Sequence, residues 1–155
     1  MAKQSHGHAG TIPLTPEQKM WLRANTVLPT IFAAPMVVIV GGALYLVGSR
    51  FGSHIAVKVF VALGVLLLLA VTAAVVLHVA NNLRDAISGT ARVAEALVVS
   101  KRESGRSPRS FYLECEALGT LIVMHEVYQA VGVGLAYRLV YSPHTKRCWT
   151  AEAIA

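Results

Sequence analysis

The chain has 155 residues, of which 55% are hydrophobic and only 14% charged, and its mean hydropathy is +0.56. That is too apolar for an ordinary soluble domain. Lys and Arg outnumber Asp and Glu by 14 to 8, a balance that fits nucleic-acid binding but equally a membrane protein with basic cytoplasmic flanks. Two cysteines, Cys115 and Cys148, are too few for a disulfide-dense secreted scaffold.

Residues 1–10 are small and polar, carry His6 and His8, and read as a disordered start. Thr15, Pro16 and Gln18 then form a helix entry: Thr15 caps, Pro16 suits the first helical position, and Gln18 sits where a capping-box side chain reaches back. The short helix that follows carries Trp21 between Lys19 and Arg23, and predicts an interfacial segment with Trp21 at headgroup depth.

Residues 27–49 hold no charge and are long enough to cross a hydrocarbon core of about 30 Å. Pro35 lies inside this run and predicts a kink. A polar stretch at 49–54 leads into a second uncharged run, residues 59–77, with Lys58 placed to snorkel at its edge. Runs this close predict an antiparallel helical hairpin. A cleaved signal peptide fits poorly, because the first run starts late, is long, and is followed by a second. Lys3, Lys19 and Arg23 before the spans and the basic residues after them, against Arg50 and Lys58 at the turn, place both termini in the cytoplasm of a cell inner or plasma membrane.

Beyond Asn81 the pattern changes. Residues 90–102 read as a strand or as a continued helix. Residues 104–110 are a polar turn. Phe111, Leu113, Cys115 and Ala117 alternate with Tyr112, Glu114 and Glu116, and "GTLIVMHEV" starts at a Gly turn and is rich in β-branched residues. Residues 128–134 are a turn region. "LAYRLVY" and "RCWTAEAI" are joined by the hairpin loop "SPHTK". Four or five short strands in this space predict a small SH3- or OB-like barrel. The expected organisation is an N-terminal tail and interfacial helix over 1–26, a transmembrane hairpin over 27–80, and an all-β cytoplasmic module over 89–155.

The module carries Ser104, Gly105 and Arg106, then Tyr128, Gly134, Tyr137, Arg138, Tyr141 and Pro143, with Glu152 near the end. This series resembles the tails of an uncharacterised bacterial family of small two-helix membrane proteins with a C-terminal β-rich tail. The resemblance covers less than half of the chain and implies a fold; it implies no catalytic activity. Cys148 and Trp149 stand where the resemblance leads one to expect aliphatic residues.

His78 is the ionisable residue set well within a hydrophobic stretch, and a polar residue in a span is a functional-site candidate. With Ala74 one turn earlier it could present an imidazole to a chlorophyll magnesium or a haem iron; its nearness to Asn81 fits an interfacial position instead. Cys115, His125, His144 and Cys148 could in principle supply a two-Cys, two-His zinc set, but they lack the knuckle spacing, and Cys115 shares the apolar face of its strand. Lys101, Arg102, Arg106 and Arg109 form a basic cluster suited to anionic lipid or a protein partner, without the aromatic platform of a nucleic-acid site.

No phosphate-cradling glycine loop, GxSxG or HExxH occurs, so no enzyme activity is expected. Small residues recur in both spans, Gly41, Gly42, Gly64, Ala73 and Ala74 among them, and permit close helix approach. The expectation is a non-enzymatic accessory or scaffold subunit of a larger membrane complex. A cofactor-binding subunit of an energy-converting complex, with His78 as ligand, and a membrane-tethered recognition module are the alternatives.

Overall fold

The computed structural model describes residues 10–105 and 109–154. The expected disordered start over residues 1–9 and Arg106 of the basic cluster lie outside the described residues. The chain divides into two compact units: residues 20–84 form one, and the described residues up to Lys19 join those from Asp85 onward in the other.

Helix α1 spans Pro16–Phe51. Its start is the reciprocal capping box that the sequence predicts: Thr15 N–H donates to Gln18 Oε1 at 2.9 Å, and Gln18 N–H donates to Thr15 Oγ1 at 3.2 Å. Helix α1 runs unbroken through Pro29 and Pro35, so the interfacial segment and the first span are one element. The Thr26 and Thr30 hydroxyls donate to the Leu22 and Thr26 carbonyls at 3.0 and 2.8 Å, supplying side-chain donors in the turns around Pro29. Helix α2 spans Ile55–Ser88. At 36 and 34 residues, the helices are about 54 and 51 Å long. Both are long and apolar enough to cross a membrane.

Their mutual contacts are antiparallel and fall on small residues. A Cβ added at Gly41 would lie 3.8 Å from Leu68 Cδ2, one at Gly48 3.7 Å from Val61, and one at Gly64 only 2.7 Å from Leu44 Cδ2. Gly64 thus makes room for Leu44. The outward faces carry large apolar side chains in the open: Phe32, Val38 and Tyr45 are 71–75% exposed.

The second unit is a six-stranded sheet in the order β1-β2-β3-β4-β6-β5, with β2 also paired to β5. Strand β1 is Gly10–Pro13, β2 Thr90–Glu103, β3 Phe111–Cys115, β4 Gly119–Val123, β5 Ala136–Tyr141 and β6 Arg147–Ala153, with a short helix α3 (His125–Ala130) between β4 and β5. The ambiguous stretch after residue 89 is therefore a strand. Ala117, expected on the apolar side of β3, instead takes φ 67° in the turn to β4. Gly10, expected in the disordered start, pairs with Val93 in an antiparallel β1–β2 ladder.

Val98, Leu113, Leu121, Leu139 and Cys148 make a core with no exposed surface. The expected SH3- or OB-like barrel is corrected here. The β4–β6 seam is reduced to two parallel residue pairs, Ile122 with Arg147 and Val123 with Cys148, so the sheet is curled but is not a closed barrel. Strands β3 and β4 have five residues each, and β4 gives way to α3 after Met124.

Gly89 ends α2 with φ +61° and donates its N–H to the Asp85 carbonyl at 3.1 Å, the left-handed cap that favours glycine. An added Cβ would also lie 3.1 Å from Lys19 Nζ. Gly89→Ala is expected to cost about 1–2 kcal/mol, read as a lowered thermal midpoint of the full chain in detergent; an unchanged midpoint would remove this cap from the account.

Candidate functional site

The most constrained polar group is Asp85, in the last turn of α2 and fully buried. Its Oδ1 accepts the His144 N–H at 3.2 Å and its Oδ2 the Thr145 N–H at 2.8 Å. The carboxylate thereby fixes the β5–β6 loop, in which Ser142 is also fully buried. Ser142 Oγ accepts the Trp149 indole N–H at 2.9 Å, and the Ser142 N–H returns to the Arg147 carbonyl at 2.8 Å. A buried carboxylate group needs hydrogen-bond donors, and these two backbone N–H groups supply them. The Thr145 hydroxyl oxygen, in the same loop, is buried with no hydrogen-bond partner among the described residues. Sequence reasoning missed Asp85, whose only signal was an acid following "NNLR" at the end of an apolar helix.

His78 is exposed on α2. Asn82 Nδ2 lies 3.2 Å from His78 Nε2 and 2.9 Å from the His78 carbonyl oxygen. An amide donating to Nε2 takes the lone pair that a metal would need at that nitrogen. The four thiol and imidazole candidates are not brought together. His125 lies against Phe111 with ring centroids 4.8 Å apart and Gln129 at 2.8 Å, whereas His144 uses its backbone on Asp85. Among the described residues no group of three or more His, Cys, Asp or Glu could hold a metal ion.

Cys115 and Cys148 are free and buried. Burial pushes the Cys115 thiol up to about 11. Burial, then the neighbouring Cys115, pushes Cys148 up to about 12. Both therefore stay protonated and poorly nucleophilic at neutral pH. Burial lowers the Arg147 guanidinium to about 10, which leaves it charged at neutral pH; it lies 6.0 Å from the Trp149 ring.

Among the described members of the basic cluster, a bulge in β2 sets Lys101 apart from Arg102. Pairing shifts between Val98 and Ser100, so that Lys101 comes opposite buried Leu113. The Lys101 ammonium then donates to the Val131 carbonyl at 2.6 Å and lies 4.4 Å from the Tyr128 ring. Arg109 pairs with Glu103 at 3.1 Å. Arg102 stays on the outer face, 5.2 Å from the Tyr112 ring. With Ser100, Glu114 and Thr120 these two line a shallow concavity of about 150 Å³, in which Ser100 Oγ donates to Glu114 at 2.8 Å. Between the helices lies an apolar groove of about 410 Å³ that includes Gly41, Leu44, Tyr45, Gly48 and Val61. Trp21 is half-buried.

No protein-family description, curated protein or solved structure matches this chain.

Two outcomes follow from this geometry. Asp85→Ala leaves two backbone donors without an acceptor and is expected to cost about 2–4 kcal/mol, while Asp85→Asn keeps an oxygen acceptor and costs less; Trp149 fluorescence during unfolding checks the order. Because the folded thiols titrate above the unfolded value of 9.0, their neutral burial stabilises the fold fully below pH 9. That contribution is lost as pH rises through about 11 to 12. A denaturation midpoint that falls above pH 9 in the native chain, and falls less in a Cys115→Ala/Cys148→Ala variant, is the expected result.

Proposed function

We propose that the chain is a two-span membrane protein whose hairpin packs against partner helices and whose sheet module covers a surface on one side of the membrane. It is a non-enzymatic accessory or scaffold subunit of a larger membrane complex. The observation that carries this reading is the pair of helices with open, apolar outer faces. Phe32, Val38, Tyr45 and Phe60 are 63–75% exposed, a surface that water does not tolerate at this extent. Lipid covers part of it. The groove at Gly41, Leu44 and Gly48 has the small-residue character of a helix-packing surface.

The same-side placement of both helix ends is supported by the β1–β2 ladder. Pro13 pairs with Thr90, three residues before α1 begins and two after α2 ends. The excess of Lys and Arg at those ends favours the cytoplasm of a cell inner or plasma membrane as that side.

A membrane-tethered recognition module is the second reading, favoured by the polar concavity of Ser100, Arg102, Tyr112, Glu114 and Thr120. For a chlorophyll- or haem-binding subunit, His78 would have to give up its Asn82 contact.

Purification from native membranes in mild detergent, with mass spectrometry of co-purifying proteins, separates these readings. Stoichiometric membrane partners are expected, with no visible absorption band that depends on His78. A partner-free species would sink the subunit reading and leave the tethered module, and a band abolished by His78→Leu would establish the cofactor reading.

A further inference from the structure

Most of the charge excess of this chain lies outside its sheet unit. Residues 1–19 and 85–155 hold ten Lys and Arg against eight Asp and Glu, whereas residues 20–84 hold four against none. Among the latter, Arg23 and Arg84 are both exposed. Neither has a carboxylate at ion-pair distance among the described residues; the pairs found are Arg109–Glu103 and Arg138–Glu95.

The helix register places these two cations together in depth. Gly41 faces Leu68, Leu44 faces Gly64 and Gly48 faces Val61. Extending that antiparallel register away from the turn puts Arg23 of α1 within a helical turn of the level of Arg84 on α2. Each stands at the end of an apolar run, residues 24–49 in α1 and 59–83 in α2, neither of which holds Asp, Glu, Lys or Arg. The α1 run spans about 39 Å, close to the depth of the hydrocarbon core with its headgroup layers.

We propose that Arg23 and Arg84 contact the phosphates of anionic phospholipids, and that they do so in place of Lys101, Arg102 and Arg109. This rests on the membrane-spanning reading. Lys101 and Arg109 are committed to Val131 and Glu103, whereas Arg23 and Arg84 are exposed cations without a carboxylate partner among the described residues, at the ends of the apolar runs away from the turn; Arg50 and Lys58 stand likewise at the turn. Guanidinium suits this role because its planar donors match phosphate oxygens.

The test uses the full chain in mild detergent, with native mass spectrometry of retained phosphatidylglycerol against phosphatidylcholine. The native chain is expected to prefer phosphatidylglycerol. Each cation near an anionic surface is worth roughly fivefold, so R23Q/R84Q is expected to lower the preference about twenty-five-fold, while R102Q/R109Q leaves it unchanged and R23K/R84K keeps most of it. An undiminished preference in R23Q/R84Q, or an equal loss in R102Q/R109Q, overturns the assignment. If the double variant does not fold, the single substitutions R23Q and R84Q carry the same comparison at about fivefold each. Release of the native chain from membranes by alkali would instead overturn the membrane reading itself, an outcome distinct from any change in lipid ratio.

Discussion

The four-residue ladder between Gly10–Pro13 and Thr90–Val93 is the constraint on which the rest of this chain depends. It joins the segment entering α1 to the segment leaving α2. The Leu14 N–H continues it to the Gly89 carbonyl at 2.8 Å. Leu14 is buried, although the four residues of β1 are all exposed. The ladder is thus held by backbone pairing and one anchored side chain. Two long helices whose outer ends are joined at such a point must fold back on one another. A hairpin with three connecting residues, Gly52 to His54, meets that requirement.

Polar side chains in the sheet module serve its geometry before they serve any surface. The Asp85 carboxylate takes two N–H groups of a proline-bearing loop, Ser142 takes the indole of Trp149, the Tyr137 hydroxyl takes the Gly132 N–H at 2.8 Å, and Lys101 holds the Val131 carbonyl. Each ties an irregular segment to a regular one, in a module whose β4–β6 seam has only two residue pairs. In a small core, satisfied buried polar groups do much to select one arrangement of the loops.

Much of this architecture was legible in the sequence because it follows from local rules. Charge-free runs gave the two helices, Thr15 and Gln18 gave the cap, and the alternation around Leu113 gave β3. What was not legible is long-range. Strand β1 has four residues and no apolar alternation, and is a strand only because Thr90–Val93 offers a partner. The bulge after Val98 turns Lys101 inward, and a pattern of period two cannot show an inserted residue. Asp85 looked like an ordinary helix-end acid, because its two backbone partners lie about sixty residues later in the chain. Pairing across such separations is set by tertiary context, as is the thin β4–β6 seam.

These non-local ties also bear on where the sheet module begins. A boundary at residue 89 follows the change in composition, but it cuts off β1, Leu14 and Asp85, all of which belong to the same compact unit as the later strands. A fragment cut there would lose the antiparallel partner of Thr90–Val93 and the acceptor of the His144 and Thr145 amides. A module of this size has little net stability to give up, since a small core leaves only a few kcal/mol after conformational entropy is counted. The sheet is therefore built with the ends of the helices as structural parts, and not as a freestanding domain appended to an anchor.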